Sequence, residues 1–443
     1  MAILSKSEAE AILKKVIAFS KADDIDATLS GGLEGNIRYA RNTVSTSGLQ
    51  DTLTLSVQSR FGKKVGSAST NEFDDASLEA CVRRSEELAK LAPDNPETMP
   101  SLEPQSYLEV KGAFESTENI TPEFRAKVAE DSIVPAAAKK VIAAGFFNDN
   151  TAFQALMNSR GLFGYYKFTV ADFSVTMRTE DGTGSGYAVR SYSDVSKFNS
   201  AKASQIAIDK ALMSRNPRAI EPGKYTVILE PAALLSTVDA SLLGGMLFAM
   251  DARQADEGRS FFSKKGGGNK IGEQIVDERV TVYADPQHPE IPAAPFAGDG
   301  RPREKMMLIE KGVVKNLFYS RYWAEKQGKK PIPPPGGIIM QGTNASVEDL
   351  IKDTKKGILV TRLWYIRPVD PQTLLFTGLT RDGTFYIENG KIKYPIKNFR
   401  FNESPIIMLN NLDAIGKPER IGNSLVPPIR VRDFTFTSLS DAV

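Results

Sequence analysis

The sequence predicts an α+β protein, and three observations predict it. Helical and strand-like periodicities come in separate runs rather than in regular alternation. The second half is dense in short β-branched and aromatic runs, with Asn389-Gly390 between Tyr386-Ile387 and Ile392 as a hairpin turn. A proline-rich stretch, residues 93–104, reads as a connector between a small α/β unit and the remainder of the chain. At 443 residues the chain is long enough for two or three domains of ordinary size. The division expected is an N-terminal α+β domain, 1–220, and a strand-rich C-terminal domain, 221–443.

Taken in order, Ser5 and Glu8 have capping-box spacing ahead of the apolar stripe Ile12, Leu13, Val16 and Ile17. Alternating runs at 25–30, 36–41, 52–57 and 65–70 predict strands separated by glycine-bearing turns. A second helix is expected after Asp74-Asp75, with Leu78, Cys81, Val82, Ser85 and Leu88 on its apolar side. Thr121-Pro122-Glu123 starts a third helix that runs towards Gly145 with an interruption at Pro135. Residues 151–190 read as strands broken at Arg160-Gly161 and Asp181-Gly182. Their aromatics, Phe163, Tyr165, Tyr166, Phe168 and Phe173, suit core and sheet packing better than base stacking, since only Arg160 and Lys167 supply charge nearby. A helix at 201–214 closes this half.

The second half opens with an apolar strand, 224–230. A helix then runs from Pro231 through Leu234, Leu235, Val238, Leu242, Met246 and Met250, and its apolar stripe stops at Asp251. Strands are expected at 279–284, 305–310, 313–318, 357–366, 373–380, 384–388 and 429–437, with a helix near Asn402-Glu403.

Composition narrows the chemistry. The chain has one histidine, His288, and one cysteine, Cys81. Zinc sites draw mostly on Cys and His, and a Ser-His or Cys-His pair needs a histidine within reach, so neither can be assembled freely. A lone cysteine excludes an intramolecular disulfide. Net charge is +2, from 56 basic and 54 acidic residues, which favours neither nucleic acid nor an anionic membrane. The first residues lack a signal-peptide core, and no run approaches the roughly 18 apolar residues of a membrane span. A cytoplasmic protein is expected.

The most suggestive stretch is 244–272, where the helix turns from apolar to charged within one turn. Asp251, Arg253, Asp256 and Glu257 follow Met250, and Arg253/Glu257 stand at i,i+4 spacing. They fit a helix end emerging from the core and stopped by Gly258. Paired carboxylates could also act as acid and base or hold a hard cation. Gly266-Gly267-Gly268 lacks the Lys-Ser/Thr ending of a phosphate loop and reads as a turn. His288 lies in a proline-bounded surface turn, and 329–337 is a rigid proline-rich loop.

The order of motifs resembles the TldD/PmbA family. It begins with Asn36-Ile37-Arg38-Tyr39-Ala40-Arg41-Asn42 and Val65-Gly66-Ser67-Ala68-Ser69-Thr70-Asn71. It continues through 224–230, Phe262, Ile271-Gly272-Glu273, Ile309-Glu310-Lys311-Gly312-Val313-Val314-Lys315-Asn316 and Ile387-Glu388-Asn389-Gly390-Lys391-Ile392. The resemblance implies the family's C-terminal domain over 221–443. Catalytic members are zinc metallopeptidases with HExxxH on the helix corresponding to 242–257 and a further cysteine ligand near the C-terminus. Here that helix has no histidine, and no cysteine follows Ile415-Gly416. No metal ligand or catalytic residue carries over.

The resemblance therefore points to the metal-less type of subunit, whose zinc is expected in an HExxxH-bearing, TldD-like paralogue. The substrate implied is a small or unfolded peptide in extended form. The charged helix end, Asp251 to Glu257, is the part expected to face the peptide cavity, and a homodimer is one form open to the isolated chain. The alternatives are a self-sufficient, metal-independent hydrolase and a regulatory protein-binding module.

Overall fold

The computed structural model of the chain describes residues 3–236 and 240–440. Helix α1 (Lys6–Phe19) is followed by strands β1 (Asp24–Ala40), β2 (Thr43–Phe61) and β3 (Lys64–Thr70) and by α2 (Asp75–Leu91). After the connector come α3 (Glu115–Glu118), α4 (Pro122–Ala138), β4 (Val141–Asn158), β5 (Phe163–Thr179), β6 (Ser185–Tyr192) and α5 (Ser200–Met213). Local chemistry sets the helix starts. Ser5 and Glu8 form both halves of a capping box, Asp74 accepts from the Ser77 N–H, and Thr121 caps α4 with Pro122 in the first turn.

The six strands make one antiparallel sheet, β3-β2-β1-β4-β5-β6. Core residues share one parity: Ile25, Leu29, Ile37 and Tyr39 on β1, and Val141, Phe147, Phe153 and Met157 on β4. A strand alternates faces residue by residue, so α1, α2, α4 and α5 all cover the same side, α1 and α2 at one end and α4 and α5 at the other. On β5, Phe173, Val175 and Met177 belong to that side. Tyr166, Phe168, Val170 and Asp172 point the opposite way, where Tyr166 joins Leu156, Leu162 and Phe296 in a cluster with the C-terminal half.

Three expectations change here. Runs 25–30 and 36–41 are a single strand, hydrogen-bonded along both edges, which overrides the glycine break. The third helix runs through Pro135 without the expected interruption, yet does not approach Gly145. It stops at Ala138, Lys140 takes φ of 54°, and residues from Val141 pair with both β1 and β5. Sheet pairing on two sides outweighs the helix propensity of this alanine-rich stretch. On α2, Leu88 is exposed, and Glu86 and Ala89 are buried in its place.

The C-terminal half begins with β7 (Gly223–Leu229), α6 (Pro231–Leu234), α7 (Leu242–Phe248) and α8 (Ala252–Asp256). Next are β8 (Val282–Ala284), β9 (Met306–Glu310), β10 (Val313–Val314), α9 (Arg321–Gln327), β11 (Ile339–Met340) and α10 (Val347–Lys352). Then come β12 (Lys356–Asp370), β13 (Leu375–Glu388), β14 (Lys391–Pro395), β15 (Asn398–Glu403) and α11 (Pro405–Asn410). Last are β16 (Leu412–Ile415), β17 (Glu419–Ile421), β18 (Ser424–Val426) and β19 (Ile429–Ser440). One sheet runs β12-β7-β19-β15-β13-β14, and β12 also pairs with β13, so five strands close on themselves. Closure leaves those five without a free edge. A second sheet of short strands runs β10-β9-β8-β11-β18-β17.

The largest apolar cluster lies in this half and takes in Leu229, Leu242, Met246, Phe262, Leu308 and Phe399. The 313–318 run is a strand only at Val313–Val314. The helix expected near Asn402-Glu403 starts at Pro405, because those two residues finish β15.

Candidate functional site

The segment after β7 is not the single helix that its apolar stripe suggests. It breaks into α6, α7 and α8, while Val238 lies outside the described residues. Leu235 ends α6 in extended geometry, and Ser241 restarts the helix by accepting from the Gly244 N–H. A second break falls at Asp251. There Ala252 N–H donates to the Phe318 carbonyl and Phe318 N–H donates to the Met250 carbonyl, at 2.9 and 2.8 Å. Those bonds take the backbone out of the helical ladder, and Asp251 caps α8 through the Gln254 N–H at 2.8 Å.

Helix α7 lies against the barrel with no room to spare. A Cβ on Gly245 would sit 2.3 Å from the Phe376 ring, so only glycine permits this approach. Beside this contact runs a groove of about 560 Å³, lined by Gly244, Gly245, Phe248, Gln254, Arg259 and Phe376 among others. Phe248 is 80% exposed beside it. A large exposed aromatic next to an apolar groove is the kind of surface that meets a ligand or another chain.

The structure brings together the four charged residues singled out from the sequence. Arg253 donates to Glu257 Oε1 at 3.0 Å, as the i,i+4 spacing implied, and also to Glu97 Oε2 of the connector at 2.9 Å. Its guanidinium stands 5.3 Å from the centre of the Trp323 ring. Asp256 accepts from Trp323 Nε1 and from Asn269 Nδ2, each at 2.7 Å. Glu257 is held below the usual carboxylate range, first by its bond from Arg253 and next by Arg259, and the same bonds to Glu97 and Glu257 keep Arg253 firmly protonated. The charged end thus clasps α8 to the connector, to α9 and to the 260s loop. It stands beside the groove, whose lining includes its neighbours Gln254 and Arg259.

The donors on α7 and α8 do not fit zinc. The helix corresponding to the family's metal-binding helix offers leucine, glycine, methionine and phenylalanine, and its nearest carboxylates already accept hydrogen bonds. Among the described residues no three His, Cys, Asp or Glu side chains converge. His288 sits half-buried in its turn, where its Nδ1 accepts from the Glu290 N–H. Cys81 is buried on α2, and burial pushes its thiol up. The Gly266–Gly268 run takes positive φ throughout, as a turn requires.

A second hollow, of about 780 Å³, lies between the sheet face carrying Tyr166, Phe168 and Asp172 and loops of the C-terminal half that supply Arg303 and Arg420. Sequence reading missed it because its walls come from positions more than 100 residues apart. The local signal was parity: on β5 an acidic residue, Asp172, shares the Tyr166–Phe168 face.

Comparisons with known proteins agree with this architecture from end to end. Residues 26–89 match the PmbA/TldA metallopeptidase domain 1, residues 115–215 the central domain, and residues 222–438 the C-terminal domain. An uncharacterized protein of Methanocaldococcus jannaschii is 24% identical over 385 residues, covering 83% of this chain and 85% of its own. Metalloprotease PmbA of Escherichia coli O157:H7 is 22% identical over 303 residues, covering 65% of this chain and 64% of its own. The crystal structure of TldE from Thermococcus kodakarensis superposes with a TM-score of 0.85 at 17% identity, over 97% of this chain and 99% of that one, which shows a shared fold. Three consecutive domain matches on one continuous fold leave a single assignment: the chain belongs to the PmbA/TldD metallopeptidase family.

Proposed function

We propose that this chain is the non-catalytic subunit of a heteromeric zinc metallopeptidase acting on small or unfolded peptides. One observation carries the reading. The family's framework is present in all three domains, yet the α7–α8 segment bears neither of the histidines that the family's zinc chemistry needs. A retained framework without its own metal site makes chemical sense when an HExxxH-bearing, TldD-like chain supplies the zinc. In such a pair this subunit completes the wall of the peptide cavity. The groove along α7 meets the extended peptide, and Asp251, Arg253, Asp256 and Glu257 form its charged rim. Extended peptides are commonly held by main-chain hydrogen bonds, with side chains in alternating pockets.

The test is peptide hydrolysis by this chain, by an HExxxH relative from the same genome, and by the co-expressed pair, each with and without chelator. The expected result is chelator-sensitive cleavage by the pair and none by this chain alone. Chelator-resistant cleavage that tracks with this chain through purification would overturn the reading.

A further inference from the structure

The cleft between the two halves has a chemistry of its own. One wall is the outward face of β5, where Tyr166 and Phe168 stack with ring centres 5.6 Å apart and Asp172 lies on the same side. The facing wall includes Arg303 and Arg420. Loop carbonyls orient both arginines. Arg303 donates from Nε to Pro334 at 3.1 Å and from Nη1 to Phe296 at 3.0 Å. Arg420 donates from Nε to Gly422 at 2.8 Å, and from Nη1 to Ser193 Oγ at 3.1 Å and to the Glu290 carbonyl.

Among the described residues, no carboxylate lies within ion-pairing distance of either guanidinium, and neither Nη2 group has a protein partner. Asp172 and Glu290 act on Arg420, and Asp299 on Arg303, only from beyond ion-pairing distance, so neither partly buried guanidinium has the direct carboxylate contact that best offsets the cost of burying a charge. Burial indeed lowers the proton affinity of both. Guanidinium forks match carboxylates in shape as well as charge. The cleft also shares Leu235 and Ser236 with the lining of the α7 groove, so the two hollows are neighbours.

We propose that this cleft binds a peptide through a carboxylate held by Arg303 and Arg420, with an apolar side chain laid against Tyr166 and Phe168. Asp172, already bonded to Ser191 and acting on Arg420, borders the carboxylate subsite, and the rest of the peptide runs on towards α7. As a substrate subsite the proposal rests on the peptidase-subunit reading; as a binding site it stands on the cleft alone.

The test uses the intact chain and three probes: N-acetyl-Ala-Phe with a free carboxylate, the same dipeptide as its amide, and N-acetyl-Glu-Phe-amide. Binding is measured by calorimetry and by NMR shifts. The free acid is expected to bind at least about tenfold more tightly than the amide, in line with loss of a charge-assisted bidentate contact. Affinity for the acidic side-chain probe tells whether a chain terminus or an internal carboxylate is read.

Arg420→Gln should abolish the preference. Arg303→Gln, measured in parallel, keeps the test decisive if the first variant fails to fold. Equal binding of acid and amide, no binding of either at millimolar concentration, or an unchanged preference in a normally melting arginine variant would each overturn the proposal. Selective binding of the acid by a chain that never assembles with an HExxxH relative would sink the subunit reading and leave the site. A cleaving pair whose subunit ignores the carboxylate would do the reverse.

Discussion

Arg125 and Asp149 meet inside the N-terminal half through two hydrogen bonds of 2.6 and 2.8 Å, with both side chains under 10% exposed. Room for the guanidinium comes from Gly35 on β1, where a Cβ would fall 1.8 Å from Arg125 Nη2. A glycine that looks like a strand breaker in the sequence is thus what lets a charge enter the sheet. Removing one partner leaves the other buried and uncompensated, so Asp149→Ala should cost about 3–5 kcal/mol. Asp149→Ala combined with Arg125→Met should cost clearly less. Denaturant titration of the four proteins checks this, and a double variant as unstable as the single would contradict it.

Glu403 tests the opposite sign. Burial raises its carboxyl above the ordinary value despite N–H bonds from Ser404 at 2.9 Å and Thr435 at 3.1 Å. The folded state therefore holds this proton more tightly than the unfolded chain does. Its stabilising contribution is present at low pH and declines as pH rises from the unfolded value through the folded one. The stability of wild type minus that of Glu403→Gln should accordingly fall across that window. A difference that stays flat with pH would exclude the linkage.

At the scale of elements, starts and turns were legible in the sequence, because they depend on residues within four positions of each other. The capping box at Ser5, the cap at Asp74 and the Asn389-Gly390 turn all form as read, with φ of 50° and 73° at the turn. Ends and continuities were not legible. Strand β1 passes through its glycines, α4 yields to β4, and the helical run breaks at Asp251, each because of a partner distant in sequence.

The α7–α8 break gives two predictions. Gly245→Ala drives a methyl into Phe376 and should cost about 1–3 kcal/mol, read as an earlier denaturation midpoint. Arg253→Ala and Glu257→Ala remove exposed contacts, so melting should stay within about two degrees of wild type. Peptide cleavage by the assembled pair should nonetheless drop if these residues form the cavity rim. Full activity at full stability would take them out of the site.

Across the whole molecule, what the sequence could not disclose is juxtaposition. Asp172, Arg303 and Arg420 carry no local motif, and only the packing of the N-terminal sheet against the C-terminal loops puts them on one cleft. Surface features extend this beyond the chain. Phe248 is 80% exposed, and Tyr365 and Val369 near the end of β12 are each more than half exposed, so apolar surface is left over for a further partner. A permanent complex typically buries about 2,000 Å² or more in total, and a partner that binds only the folded state raises stability by mass action. On the proposed pairing, this chain mixed with an HExxxH relative should therefore melt in a single transition above that of either chain alone. The midpoint should climb with total protein concentration, and Phe248→Asp should lower it in the pair while leaving the isolated chain nearly unchanged. Scanning calorimetry over a tenfold concentration range decides the matter: two independent, concentration-insensitive transitions would mean that the two chains do not form a permanent unit.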